Sequence, residues 1–463
     1  MRYVLSLLCI ILLGPAVSAA DGTLHFGKFG TVYLYHGRKP PSRVAIFISG
    51  DGGWNKGVVD MAQALARDDA LVVGTDVVHY LKELSRDSGD CSYPASDFEA
   101  LSQYVQKKLD LPTYITPVII GYSSGATLAY GLIVEAPAGT FAGAISMGFC
   151  PDLPVTKPLC KGEGLEATSL PKGKGYSFLP TAHLSSPWIA LQGDIDQVCN
   201  VKDVQSFVNQ VPGASIIVLP KVGHGFSVQK NWLPQLRASF TKLAFSFDTA
   251  TSTVTPDIIR DLPLVELPSP EPTESYFAVI VSGDGGWAGI DKQLGNYLTS
   301  QGISVVGLNS LKYFWSRRTP NGSSNDLMRI ISHYMKAWNK DRVLLIGYSR
   351  GADVLPFMAN RLPGKMLKQV VGLGLLGLEG NVDFQFHLSD WLGGSESNGL
   401  PVKPELEKLR GMKIICVYGD DEKHSLCDSL DGDWVTKVEM KGGHHFGGDY
   451  QTIAREILEE VNR

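Results

Sequence analysis

The sequence predicts two tandem α/β domains, each a mostly parallel sheet flanked by helices. Three observations carry this expectation. Short apolar runs alternate with amphipathic helical stretches along the chain, the pattern of strand–helix–strand units. The hexapeptide Ser49-Gly50-Asp51-Gly52-Gly53-Trp54 recurs residue for residue at positions 282–287. Gly121-Tyr122-Ser123-Ser124-Gly125 recurs as Gly347-Tyr348-Ser349-Arg350-Gly351, with one change. A repeat unit of about 200 residues is a duplicated domain, because solenoid units are far shorter.

The first unit reads in order. Residues 31–36 and 43–49 are strands that lead into the first hexapeptide. Residues 58–67 suit a helix and 70–74 a buried strand. The stretch 93–108 opens with a Ser- and Asp-rich cap and continues as an amphipathic helix. A strand at 117–120 enters Gly121, a helix follows over 126–135, and 141–147 is the next strand. Residues 151–182 are rich in Pro, Gly and Lys and read as an excursion over the site. A strand at 188–192 ends in Gly193-Asp194-Ile195-Asp196, and one at 215–219 leads to Gly223-His224-Gly225. A closing helix covers 232–245.

Residues 249–261 carry Thr, Ser, Pro and Asp with little apolar periodicity and read as a linker. The domains are therefore expected at 21–248 and 262–463. In the second, 262–267 resembles an opening strand, and the apolar run 343–346 enters Gly347, with a helix over 352–362. Gly419-Asp420-Asp421-Glu422 aligns with Gly193 to Asp196, and Lys441-Gly442-Gly443-His444 with Lys221 to His224. The acid follows the serine by 73 residues in both halves, and the histidine follows it by 101 and 95.

Charged residues are 19% of the chain and the net charge is −5, without a strongly basic stretch. That argues against nucleic acid as the main partner, which needs clustered Lys and Arg. Residues 1–20 read as a secretory signal: Arg2, an apolar run over 4–13 and a small-residue site at Val17-Ser18-Ala19-Ala20. Cys9 falls inside that run. Cys91, Cys150, Cys160, Cys199, Cys416 and Cys427 remain, an even number that suggests disulfides in an oxidising compartment. Cys416 and Cys427 are the natural pair of the second half, whereas the other four allow three pairings. No Cys-x-x-Cys or His-rich spacing points to a metal, and no cofactor is expected.

A short strand, Gly-x-Ser-x-Gly and a helix make the nucleophile elbow of α/β-hydrolases. Ester cleavage by serine needs a base for its proton, an acid to orient that base, and donors for the oxyanion. Both halves hold these in the α/β-hydrolase order: Ser123, Asp196, His224, and Ser349, Glu422, His444. Asp420 and Asp421 rival Glu422, and His445 rivals His444; alignment of the repeats favours Glu422 and His444. The N–H groups of Ser124 and Arg350 are candidate oxyanion donors at the helix starts. Asp51, Gly52, Asp284 and Gly285 are candidates on the Gly-rich hexapeptides, which otherwise read as plain turns with their Trp in the core. The Arg350 guanidinium is a candidate phosphate ligand or a salt-bridge partner. Asp353 is a candidate for a cationic substrate group, or a partner of Arg350.

These motifs resemble the bacterial virulence protein family called VirJ and AcvB. Ser-Gly-Asp-Gly-Gly-Trp, Gly-Tyr-Ser-Arg-Gly-Ala-Asp and the late Gly-His loop carry the likeness. One-domain members resemble residues 260–463, and two-domain members resemble the whole mature chain. The resemblance implies a periplasmic α/β-hydrolase. In the AcvB branch it implies hydrolysis of the aminoacylated phospholipid lysyl-phosphatidylglycerol at the membrane surface, releasing lysine and phosphatidylglycerol. The family's nucleophile carries over to Ser349, and the role of Ser123 is left open. The alternatives are an adaptor or chaperone in transient contact with secretion-system or secreted proteins, its triads vestigial, and a carboxylesterase of another acyl ester.

Overall fold

The short, wholly apolar runs become the inner strands of two sheets, as expected where helices cover both faces. Val44–Ile48, Val118–Ile120, Phe277–Val281 and Val343–Ile346 are all within 1% of full burial. The structure, a computed structural model, describes residues 20–37, 40–250, 259–387, 399–423 and 425–463. The expected signal lies outside the described residues except for Ala20, and so does most of the expected linker.

In the first domain the strands are β1 (Gly22–Phe26), β2 (Gly30–Tyr35), β3 (Arg43–Ile48), β4 (Ala70–Thr75), β5 (Val118–Tyr122) and β6 (Gly143–Met147). The three short strands β7 (Asp152–Leu153), β8 (Ala167–Ser169) and β9 (Tyr176–Phe178) form a separate antiparallel sheet. Then come β10 (Trp188–Gly193) and β11 (Ser215–Leu219). The main sheet runs β1-β2-β4-β3-β5-β6-β10-β11. It is parallel except at β1–β2 and β2–β4.

The second domain contains β12 (Leu264–Leu267), β13 (Tyr276–Val281), β14 (Val305–Leu308), β15 (Arg342–Tyr348), β16 (Val370–Leu376) and a small hairpin, β17 (Asn381–Val382) with β18 (Leu400–Pro401). It ends with β19 (Ile414–Gly419) and β20 (Thr436–Met440). Its sheet, β12-β14-β13-β15-β16-β19-β20, repeats the first without the initial β1 strand. Both domains have the α/β-hydrolase fold, and in each the serine-bearing strand sits at the centre. The second core already includes Ile259 and Leu262, so its packing begins within the stretch expected as linker.

The excursion over 151–182 does not lie over the serine. Phe178 and Leu159 pack against Gly131, and Tyr130 donates to Leu179 O at 3.0 Å, so it runs along the far half of helix Ser124–Glu135. The apolar side chains of that segment have a helix face to cover there, which the sequence pattern did not locate.

The two domains meet through Trp315. Its Nε1 donates to Leu111 O at 2.7 Å, and its ring packs on Tyr114 and Phe386. Lys107 Nζ donates to Trp315 O at 2.6 Å, and Lys292 donates to Ala138 O. Truncating a buried aromatic ring of this kind costs about 3–5 kcal/mol.

Candidate active sites

Each serine sits where a central strand turns sharply into a helix. Ser123 has φ 56° and ψ −122°, and Ser349 has φ 54° and ψ −125°. These are strained values for residues with a side chain, and they lift the hydroxyl above the sheet. The flanking glycines permit it. A Cβ on Gly347 would lie 2.4 Å from Gly351 O, and one on Gly351 would lie 2.0 Å from Val281 O. Only a bare backbone fits at that separation.

In the first domain the three expected residues form one continuous relay. Ser123 Oγ is 2.9 Å from His224 Nε2, and His224 Nδ1 is 2.9 Å from Asp196 Oδ2. Asp196 is buried and held from other sides as well. Its Oδ1 accepts the N–H groups of Val198 and Cys199, both at 2.9 Å, and its Oδ2 accepts Gln192 Nε2 at 3.0 Å. With Nδ1 donating to the carboxylate, Nε2 is left to take the serine proton.

In the second domain the acid–base pair is made but its link to the serine is not. His444 Nδ1 is 2.5 Å from Glu422 Oε1, and Glu422 Oε2 accepts the Gly419 N–H at 2.7 Å. No hydrogen bond joins Ser349 Oγ to His444 among the described residues. Catalytic hydrogen bonds are often long without substrate and tighten on binding, so the geometry remains compatible with a triad. The rivals have other partners. Asp420 Oδ1 caps Gly442 N–H at 2.7 Å, as Asp194 caps Lys221 N–H, and Asp421 is exposed. His445 Nδ1 lies 3.0 Å from Tyr348 OH, and burial holds its pKa below the usual imidazole value.

Both hexapeptide loops lie beside their serines. A Cβ on Gly50 would be 3.0 Å from Ser123 Cβ, and one on Gly283 would be 3.3 Å from Ser349 Cβ. Asp51, Gly52, Asp284 and Gly285 are thus on the loop next to the nucleophile. Ser124 and Arg350 open their helices, where the first N–H groups have no intrahelical acceptor. The tryptophans serve packing: a Cβ on Gly74 or Gly307 would collide with Trp54 or Trp287 at 2.1 Å.

The Arg350 guanidinium is buried rather than open to a phosphate. It pairs with Asp284, and its Nη1 donates to Asp383 O at 2.6 Å and Gln385 O at 3.3 Å. Of the two roles expected for it, the structure has the salt bridge. Asp353 is enclosed as well. It is buried, accepts the Glu379 N–H at 2.7 Å, and burial pushes its carboxyl well above the ordinary range.

Several residues of the sites were not singled out in the sequence. Tyr122 OH donates to His224 O at 2.9 Å, and Tyr348 OH to His444 O at 3.2 Å, so the residue before each serine holds the histidine loop. Its presence in both copies of the pentapeptide was the signal. Asp76 and Asn309 close the hexapeptide turns, at 2.8 and 2.9 Å from where a Cβ on Gly53 or Gly286 would sit. Glu99 of the first domain reaches the rim of the second site, 4.0 Å from where a Cβ on Gly285 would sit. Nothing in the linear sequence marks that approach.

The three disulfides are Cys91–Cys160, Cys150–Cys199 and Cys416–Cys427. The last is the expected pair. Disulfides fit an exported protein. No described helix is long and apolar enough to cross a membrane. Among the described residues no group of three or more His, Cys, Asp or Glu is arranged to hold a metal ion.

The profile of the family described as bacterial virulence protein (VirJ) matches residues 42–139 and 275–463, more than half of the chain. The chain belongs to the VirJ family. The VirJ matches include both elbows, Ser123 and Ser349, and both acid–base residues of the second domain, but neither Asp196 nor His224. No curated protein matches the chain. Similar solved structures include a Coxiella burnetii α/β serine hydrolase homologue, at 18% identity and TM-score 0.33 over 49% of this chain and 98% of that one. A Xanthomonas campestris α/β serine hydrolase without a lid matches at 20% identity and TM-score 0.31 over 51% and 97%. Esterase 2 of Thermogutta terrifontis matches at 18% identity and TM-score 0.35 over 51% and 97%.

Proposed function

We propose that this VirJ-family hydrolase cleaves the aminoacyl ester of lysyl-phosphatidylglycerol in the periplasm, with Ser349 as its main nucleophile. The observation that carries an ester-cleaving reading is the strained Ser349 elbow facing a loop with an oriented Glu422–His444 pair. The lysyl bond is a carboxylic ester, which suits this machinery. Ser349 Oγ attacks the carbonyl carbon while His444 accepts its proton, and Glu422 stabilises the imidazolium. The N–H groups of Arg350 and of the Asp284–Gly285 turn support the oxyanion. Phosphatidylglycerol leaves with the proton from His444, and water then releases lysine from the serine. Support for the lipid and for export comes from the resemblance, the three disulfides and the apolar N-terminal run.

The adaptor reading, with vestigial triads, fits poorly with the unbroken relay from Ser123 to Asp196. The test incubates purified protein with lysyl-phosphatidylglycerol vesicles and resolves the lipids. Wild type is expected to yield phosphatidylglycerol and Ser349→Ala to lose about 1,000-fold or more of that rate. Unchanged lipid with wild type, or equal turnover by the variant, defeats the reading.

A further inference from the structure

We propose that the first domain is a second hydrolytic centre, selective for esters that carry an ammonium group next to the scissile carbonyl, with the Asp51 carboxylate holding that ammonium. The inference does not depend on the lipid reading or on Ser349.

Two observations converge. The first is the complete relay: Ser123 Oγ to His224 Nε2 and His224 Nδ1 to Asp196 Oδ2, each at 2.9 Å. The second is a charge difference between the repeats. In the second domain the hexapeptide aspartate, Asp284, is neutralised by Arg350. In the first, position 124 is serine, and Asp51 has no ion-pair partner among the described residues. The exposed Asp51 places Oδ2 3.4 Å from Ser123 Oγ. Ser124, in the place of the arginine, is buried, and its hydroxyl has no hydrogen-bond partner.

An unpaired carboxylate beside the nucleophile opposes the negative charge that develops on a neutral ester. A substrate ammonium reverses this by supplying the charge that Arg350 supplies in the other repeat. Covalent geometry fixes the distance: an α-nitrogen lies about 2.5 Å from its carbonyl carbon. An attacking oxygen starts roughly 3–3.5 Å from that carbon. These lengths allow the ammonium to come within ion-pair reach of the Asp51 carboxylate, 3.4 Å from the attacking oxygen.

The steps balance without a cofactor. Ser123 Oγ bonds to the carbonyl carbon as its proton passes to His224 Nε2. The bond to the alcohol oxygen breaks, and the alcohol leaves with that proton. Water attacks the acyl-serine and gives a proton to His224. Ser123 departs and takes the proton back, releasing the amino acid.

The experiment uses the full chain carrying Ser349→Ala, so that only the first site can act. Alanine ethyl ester and N-acetylalanine ethyl ester are compared near pH 6, where the α-amino group is charged. The Ser123→Ala/Ser349→Ala double variant sets the background. The free-amine ester is expected to be preferred in kcat/KM by about fivefold, the upper scale of one partly exposed ion pair. Adding Asp51→Asn should abolish the preference for the free-amine ester over N-acetylalanine ethyl ester, with circular dichroism and an unchanged Tm reporting an intact fold. Turnover no greater than background, equal rates on the two esters, or a preference that survives Asp51→Asn would each overturn the proposal. Loss of Ser349 activity on lipid leaves this readout untouched, so the two readings fail separately.

Discussion

At the scale of single residues, the histidines are placed by what backs them. Gly377, just after β16, has φ +63°, and a Cβ there would stand 2.6 Å from His444 Cε1. Its counterpart Gly148 has φ +66°, but the added atom would stand 3.3 Å from His224 Cε1. His444 therefore has no room to give on that side, whereas His224 has some. Gly377→Ala is expected to displace the Glu422–His444 pair of the second site and to lower kcat/KM by roughly a hundredfold. Gly148→Ala should cost the first site less. Steady-state kinetics on a soluble ester, with circular dichroism to verify folding, checks both. Equal effects at the two glycines would contradict the packing argument.

At the scale of elements, the acid turns are braced in both domains, each by its own disulfide. Cys199 follows Asp196 by three residues and is tied to Cys150 beyond β6. Cys427 follows Glu422 by five residues and is tied back to Cys416 within β19. Each cross-link ties the loop that carries the acid to a strand or to the segment just after one. Replacing Cys416 and Cys427 with Ser should lower stability by about 2–3 kcal/mol, given a sequence separation of 11 residues. It should also reduce turnover at Ser349 more than at Ser123. Urea unfolding and site-resolved kinetics in the single-serine variants measure the two effects. The chain order Ser, acid, His was enough to name these residues, because that order follows from the order of strands. Pairing among the four first-domain cysteines was not legible, since it depends on which loops meet after the sheet forms.

At the scale of the whole molecule, the first domain packs against the second beside its site. Glu99, on helix Pro94–Lys108, is pushed up to about 7 by burial, and Gln103 Nε2 donates to it at 3.4 Å. A carboxyl raised by folding holds its proton more tightly in the native state. Its contribution is complete below the ordinary value of 4.5 and is lost as pH rises through about 7. Relative to Glu99→Gln, the wild-type Tm should therefore fall as pH rises from about 5 to 8, with no further divergence above that range. A scanning-calorimetry series over pH measures it, and a difference that is constant with pH would remove Glu99 from the account.

The sequence by itself determined the two α/β-hydrolase folds, their repeat and the Cys416–Cys427 pair, and it named both serines with their acids and histidines as candidates. These follow from periodicity, turn chemistry and chain order, all of which are local or repeated. Only the tertiary structure decided that a hydrogen bond joins Ser123 to His224, whereas none joins Ser349 to His444 among the described residues. It also turned Arg350 onto Asp284, buried Asp353 against the Glu379 N–H, and brought Glu99 to the neighbouring domain's rim. Each of these is a contact between residues far apart in the chain, set by how strands and helices pack, and no spacing in the sequence encodes it.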